Sequence, residues 1–512
     1  MRNTIRPVTE TDVRELGPRW GLDVGRYEAA DLAARINDRL SDLDSIYEIP
    51  VRPECEEHGE RFWSEGDDEY NAVRVNCHIP PVSDHTSLLA GFDIGLKDLI
   101  SVASVPMQCG SGVMEGYIPN SDATVTTRLR RAGATITAKT TLDEFAGGGR
   151  GRTFQGLVRN PRDENRIAGG SSGGSGAAVA AGLVDIALGT DTGGSARKPA
   201  AFCGLVGLKP TYGLVPLTGV IENTYTLDHV GPIARDIMDA ATVLEAIAGK
   251  DEADPASMTA AGADEYYVGG YVDVIRSPPP LNDVQLGVAT QGLTDDIDPT
   301  VAKRTKAAVD TLREAGASIT EIEIPYLDQV KQLKDTISYT ELAAFWRDRG
   351  MPVRRGGIVD PFGQVGFARR AEAANRELND FYRSRLLAGA QLATVHGGRH
   401  YTRARAAQNT VRLEVEGTLS DVDALITPTV PELAPKIDHV LDPDFDYDGL
   451  DSAFGYGRYT KIANVTGLPA ITVPNEVEAG PAVGLQFIGS RFDECVLLGV
   501  AQRAFETIGT AA

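Results

Sequence analysis

The chain has 512 residues, 42% of them hydrophobic and 24% charged, the balance of an ordinary globular protein with enough length for a large core. Acidic residues outnumber basic ones by 72 to 50, and the formal charge of −22 repels nucleic-acid phosphate and anionic lipid, so neither is expected as a partner. No uninterrupted apolar run reaches membrane-spanning length, the first ten residues hold no apolar leader core, and the 5 cysteines are widely spaced without a Cys-x-x-Cys pair; these features point to a cytoplasmic protein without disulfide framework or structural zinc.

In chain order, Thr9-Glu-Thr-Asp12 reads as a helix start, and Leu32, Ile36, Leu40 and Leu43 recur at helical spacing. Residues 1–85 are therefore expected as a helical N-terminal segment, with an exposed acidic patch at Glu54–Glu60. From residue 86 strands and helices alternate, which predicts an α/β fold over 86–512. Asp122–Ala132 is a predicted helix stopped by Gly133, followed by a strand at Ala134–Ala138. The loop Gly147–Gly151 has neither Gly-x-Gly-x-x-Gly nor a Walker lysine, so no nucleotide cofactor is indicated. A polar connection over Asp251–Tyr267 leads to a strand at Val284–Ala289 and a helix at Asp298–Ala315 with Asp298 as its cap. Residues 326–417 read as mostly helical and charged; strands at Ala424–Pro431 and Gly484–Gly489 and a helix at Glu494–Phe505 close the chain. Asn464-Val-Thr fits a glycosylation sequon, to which no role is assigned without a secretion signal.

The chemistry concentrates between Ala168 and Pro210. Two glycine-serine turns, Gly169–Gly176 and Thr192–Ser195, flank a short apolar helix and a short apolar strand, so the hydroxyls of Ser171 and Ser195 can converge at one end of a sheet. The backbone amides of Thr192, Gly193, Gly194 and Ser195 would form a nest of donors beside the Ser195 hydroxyl, as an oxyanion hole requires. A serine needs a base, and none of the 7 histidines lies in a motif. Among the 11 lysines, Lys97 ends the apolar segment Leu89–Ile100, where desolvation would lower its pKa and make it a base near neutrality. Two other motifs overlap. Gly170–Gly174 contains Gly-x-Ser-x-Gly around Ser172, but Asn160–Arg166 before it reads as a polar turn where that motif needs a strand. Ser195–Lys198 fits Ser-x-x-K, but neither Ser-Asp-Asn nor Lys-Thr-Gly follows, and Lys198 reads as a solvated helix lysine. Asp191 and Arg197 read as residues that fix the turn, and Cys203 as a small buried hydrophobe.

Taken together, Gly95-Leu-Lys-Asp98, Gly169–Gly176, Asp191–Ala200, Gly204–Pro210, Asp228–Pro232 and Asn464–Pro474 resemble the amidase signature hydrolases, and most closely the stand-alone amidases with a helical N-terminal extension found beside nitrile hydratases. The resemblance implies a central mixed β-sheet covered by helices on both faces, with 326–417 shaping the acyl pocket. It implies a Ser-cisSer-Lys triad of Ser195 as nucleophile, Ser171 as proton relay after a cis peptide, and Lys97 as base. The implied reaction is hydrolysis of a carboxamide to a carboxylic acid and ammonia without metal or organic cofactor, on a small-molecule amide, in a homodimer. Alternatives within the family are the glutamine-hydrolysing subunit of a tRNA amidotransferase, and a carbamate or ester hydrolase.

Overall fold

The computed structural model describes residues 6–510 except 20, 26–27, 42, 44–59, 83–86, 149–151, 258–268, 293–296, 351–366, 369, 372–376, 442–456 and 476–480. Most of the acidic patch at 54–60, three of the five residues of the glycine loop at 147–151, most of the connection at 251–267, and His58 and His85 thus lie outside the described residues. Two compact units are present, Met1–Glu54 and Cys55–Ala512.

In the first unit the expected helix start is a reciprocal cap: the Thr9 N–H donates to the Asp12 carboxylate at 2.7 Å, and the Asp12 N–H donates to Thr9 Oγ1 at 3.2 Å. Helix Glu10–Arg19 buries Val13 against Ala29 and Ala33 of helix Glu28–Leu40, while Leu16 faces outward.

The second unit is organised by one mixed sheet. Its strands are β1 (Phe62–Glu65), β2 (Val73–Ile79), β3 (Asp93–Lys97), β4 (Thr135–Thr140), β5 (Ile186–Thr190), β6 (Val206–Lys209), β7 (Val230–Ala234), β8 (Gln285–Ala289), β9 (Ser318–Ile322), β10 (Ala424–Pro428), β11 (Ala470–Pro474) and β12 (Gly484–Ile488). They lie in the order β1-β2-β4-β3-β5-β7-β6-β11-β12-β10-β8-β9. The pairs β3–β4, β3–β5, β8–β9 and β8–β10 are parallel and the rest antiparallel. Helices flank this sheet, as the resemblance implies.

The expectation of helix throughout residues 1–85 is corrected by β1 and β2, which form one edge of the sheet. Val73, Val75, Cys77 and Ile79 are buried while Arg74, Asn76 and His78 are less so, a period of two that only four apolar positions carry. The central strand β5 shows no such alternation: all five of its residues are buried, since its neighbours and helices cover both faces. Asn160–Arg166, expected as a polar turn, instead carries the short antiparallel strands Arg159–Asn160 and Asp163–Ile167; the other expected elements appear close to their sequence positions. Helix Pro299–Glu314 is capped by Asp298, whose carboxylate accepts from the Thr300 and Val301 amides, and its Val301, Ala308 and Leu312 are buried. The described part of 326–417 is mostly helical, with helices Val330–Arg347, Asp380–Thr394 and Arg399–Thr418.

The sheet places Lys97 and the glycine-serine turns by its parallel centre. β3 and β5 run side by side, with Leu96 opposite Leu188, so Lys97 and Thr190 finish their strands at the same edge. Ligands bind outside the carboxyl ends of parallel strands because the following turns diverge there. Helix Gly173–Ala180 packs close to β5 because position 189 is glycine: a Cβ there would lie 2.9 Å from Ser172 Oγ.

Candidate active site

Lys97 is completely buried, and its Nζ lies 2.8 Å from Ser171 Oγ and 2.8 Å from Thr190 Oγ1. Burial pulls its pKa down to about 7, aided by Lys198 and opposed by Asp143, Asp191 and Asp228. A substantial fraction of the amine is therefore uncharged at neutral pH and able to take a proton from the hydroxyl beside it. Its neighbour Asp98 serves a different purpose. Asp98 pairs with buried Lys139 at 2.7 Å and accepts from the Gln108 amide, anchoring the loop that follows β3.

The Gly170–Ser171 peptide is cis, and the Ser171 carbonyl accepts from the Asp143 amide at 3.2 Å. The Ser172 N–H donates to the Ser195 carbonyl at 3.2 Å, which brings the second glycine-serine turn against the first. Ser172 is not a nucleophile candidate in this setting: its hydroxyl donates to the Thr190 carbonyl at 3.1 Å and accepts from the Thr190 amide at 3.2 Å. It fastens helix Gly173–Ala180 to β5.

The turn bearing Ser195 is held from below by Asp191. One carboxylate oxygen accepts from the Gly194 amide at 2.7 Å and the other from the Ala196 amide at 3.2 Å. The Gly194 N–H is thus already committed to Asp191, so of the four amides expected to line an oxyanion pocket, those of Thr192, Gly193 and Ser195 are left; among the described residues no protein acceptor takes them. Gly194 has φ of 102° and lies so close to Thr460 that a Cβ would run into its hydroxyl. Gly194→Ala is expected to lower unfolding free energy by about 2–4 kcal/mol, measured by chemical denaturation, because strained backbone and overpacking coincide there.

Arg197, fully buried, forks onto Asp191 through Nε and Nη2, both at 3.0 Å, and donates from Nη1 to Gln486 at 2.6 Å and from Nη2 to Asn464 at 2.8 Å. Burial pushes the Asp191 carboxyl up, but Arg197, Asn464 and Lys209 together hold it well below the usual carboxylate range. Asn464, 1% exposed, belongs to this network, so its sequon is closed to modification in the folded chain.

Some contributors to the site were not singled out from the sequence. Thr190 is the second partner of Lys97, and its only signal was its place before Asp191. Asp228 accepts from the Thr192 hydroxyl at 2.6 Å and from the Asn223 and Thr224 amides at 2.9 Å; it lies in a quoted motif, but nothing in that motif names its partner. Thr224 in turn meets Ser338 at 2.7 Å, which, through Asp228 and Thr192, ties helix Val330–Arg347 to the turn bearing Ser195. Lys198, expected in solvent, is buried, because helix Arg197–Cys203 is enclosed on all sides. Cys203 is buried with its thiol pushed up to about 12 by burial, in keeping with a packing role. A cavity of 510 Å³ lined by Asp143, Glu144, Gly148, Phe154, Tyr382 and Arg383 adjoins the Ser171 peptide through Asp143. Among the described residues no cluster of three or more His, Cys, Asp or Glu side chains is arranged to hold a metal, and no described helix is long and apolar enough to cross a membrane.

Residues 71–498 match the Amidase family model. The chain belongs to the amidase family. Among amidase-family relatives, it is 38% identical over 429 residues to a glutamyl-tRNA(Gln) amidotransferase subunit of Haloarcula marismortui, covering 83% of this chain and 97% of that protein. Among solved structures it is similar to the corresponding glutamyl-tRNA(Gln) amidotransferase subunit of Thermotoga maritima (TM-score 0.66, 31% identity, 81% of this chain and 82% of the other) and to the peptide amidase of Stenotrophomonas maltophilia (TM-score 0.67, 31% identity, 82% of each). These relatives overturn the expectation of a small-molecule amide partner with nucleic acid excluded: proteins 38% identical over most of their length are subunits of an enzyme named for a tRNA. The error is physical. A net charge describes the average surface of one chain and does not report what a partner protein carries.

Proposed function

We propose that the chain is the amide-hydrolysing subunit of a glutamyl-tRNA(Gln) amidotransferase, using Ser195 as nucleophile, Ser171 as relay and Lys97 as base. The observation that carries the chemistry is the 2.8 Å contact between a buried lysine amine and Ser171, at the foot of the Ser195 turn. Neutral Lys97 takes the Ser171 proton as Ser171 takes that of Ser195, and Ser195 Oγ attacks the carboxamide carbon. The amides of Thr192, Gly193 and Ser195 receive the oxyanion; the proton returns through Ser171 to the leaving nitrogen, ammonia departs, and water cleaves the acyl-enzyme by the same route. The Haloarcula amidotransferase subunit supports this reading, since nearly all of it aligns to this chain; glutamine as the amide donor is what the family resemblance implies.

A self-contained amidase is the second reading. It is favoured by the likeness to the peptide amidase and by the separate N-terminal unit Met1–Glu54, which lies outside the matched residues 71–498. One experiment separates them: ammonia release from L-glutamine by the purified chain, alone and with the partner subunits and glutamyl-tRNA. The amidotransferase reading expects glutamine hydrolysis to rise at least about tenfold on assembly, as when a binding partner completes a site. Full activity alone on simple amides, with no response to partners, contradicts it.

A further inference from the structure

The turn that carries Ser195 begins at the Asp191–Thr192 peptide, which is trans, so its carbonyl and its N–H point in opposite directions. The N–H is that of Thr192, one of the amides left open at the oxyanion pocket. The carbonyl on the other side is held by three donors: the His229 N–H at 3.1 Å, His229 Nδ1 at 3.1 Å and Asn464 Nδ2 at 3.0 Å. The Asp191 N–H in turn donates to the His229 carbonyl at 2.8 Å, which continues the β5–β7 pairing one residue past Thr190 and Val230. Thr192 is fixed as well, since its hydroxyl donates to Asp228 at 2.6 Å. The neighbours Asp228 and His229 thus hold both residues of this one peptide.

The chemistry of the His229 ring follows from its surroundings. Besides the Asp191 carbonyl, Nδ1 meets the Leu227 carbonyl at 2.8 Å. Both of these partners are acceptors, so the proton of the neutral ring sits on Nδ1 and is shared between them. Nε2 is then a bare acceptor, buried, and among the described residues no donor reaches it. The ring is 3% exposed and packs edge to face with Tyr212, centroids 5.5 Å apart. Burial, with Lys209 adding to it, pushes the imidazole pKa well below its ordinary value against the opposing pull of Asp191, so the ring stays neutral. A hydrocarbon ring would fill this space without leaving a buried nitrogen unpaired. What the imidazole adds is one N–H aimed at two carbonyls.

Resting on the amide-hydrolase reading, we propose that His229 is a positioning residue for the oxyanion pocket: its backbone N–H and its Nδ1–H hold the Asp191 carbonyl, so that the Thr192 N–H of the same peptide faces the developing oxyanion. A donor fixed in advance needs no reorganisation as the negative charge forms, which is the source of its catalytic value. Hydrogen bonds to the carbonyl also polarise the peptide and strengthen the N–H at its other end as a donor. Without the ring, the carbonyl keeps the backbone N–H of residue 229 and Asn464. The peptide is then loosened and not released, which bounds the effect.

Two variants test this role. His229→Phe keeps a ring against Tyr212 and removes the Nδ1–H, while His229→Asn can place an amide nitrogen where the imidazole has Nδ1. Fluorophosphonate labelling of Ser195, followed between about pH 5 and pH 9 and scaled to folded protein, should be about tenfold slower in His229→Phe at every pH. That is less than the roughly hundred- to thousandfold loss on deleting an oxyanion donor outright. The midpoint should stay at the parent's value, because the base is untouched, and His229→Asn should recover most of the rate. A residue that only stabilised the fold would lower the melting temperature and leave the rate per folded molecule unchanged. Should His229→Phe fail to fold, nitrogen-15 spectra of the histidine-labelled parent, with His229→Asn to assign the signal, provide the second readout: Nδ1 protonated and Nε2 bare across the same pH range. Parent-like labelling of His229→Phe, a midpoint displaced by about one pH unit or more, no recovery in His229→Asn, or an Nε2–H ring overturns the proposal. A parent that is not labelled at any pH sinks the hydrolase reading itself, whereas a labelled parent matched by His229→Phe sinks the positioning role alone.

Discussion

Lys97→Met is expected to lower kcat/KM for amide hydrolysis by about ten-thousand-fold, the upper range for a positioned general base, with the fold unchanged. Methionine keeps most of the apolar stem and lacks the amine, so the hydroxyls of Ser171 and Thr190 lose their shared partner while the packing is retained. Because a fully buried amine costs desolvation free energy, the variant should melt no lower than the parent. A large loss of activity with an unchanged melting temperature separates a chemical role from a structural one. Ser195→Ala should match it in kcat/KM, and the double variant should be no worse than either, since residues acting as one unit are not additive.

The largest stability effect is expected at Arg197. Arg197→Met leaves the Asp191 carboxylate buried without its bidentate partner, and breaking such a pair costs about 3–5 kcal/mol. The sign of its pH dependence follows from the charges. In the parent, the Asp191 pKa is held low, so its contribution is present above the unfolded carboxylate value and lost only as pH falls toward the folded value. Without Arg197 the burial that pushes this carboxyl up is opposed only by Asn464 and Lys209, and its folded pKa is expected to rise above the unfolded one. The variant's stability is then retained at acid pH and lost as pH rises through that raised value. Denaturation at pH 5 and pH 8 should show a deficit that widens toward pH 8; a deficit independent of pH would mean that Asp191 finds another cation. Arg197→Lys should recover little, because one ammonium cannot reach Asp191, Gln486 and Asn464 together.

How much of this was legible in the sequence varied with how local the determining physics is. The α/β pattern, the Asp298 cap and the position of Lys97 at the end of an apolar segment are set by residues within a few positions of each other, and they could be read directly. The two edge strands could not, because β2 alternates through Cys77 and His78, which carry little strand signal, and is fixed by pairing with β4 some sixty positions later. The burial of Lys198 was hidden for the same reason: its sequence neighbours Arg197 and Pro199 read as polar helix, and only the elements enclosing the helix exclude water. Asn464 and Gln486 meet Arg197 across more than 260 residues, so no spacing rule could connect them. The commitment of the Gly194 amide to Asp191 was also out of reach, since the run Asp191–Ser195 is equally compatible with all four amides facing the substrate.

The uncharged state of one buried amine is the claim on which the mechanism turns, and the rate at which a fluorophosphonate labels Ser195, followed across pH, reads it most directly. Labelling should rise from acid to alkaline pH with a midpoint near the Lys97 value of about 7, and should be nearly absent at every pH in Lys97→Met. A labelling rate that does not depend on pH across this range, or a Lys97→Met chain labelled as fast as the parent, would contradict the account.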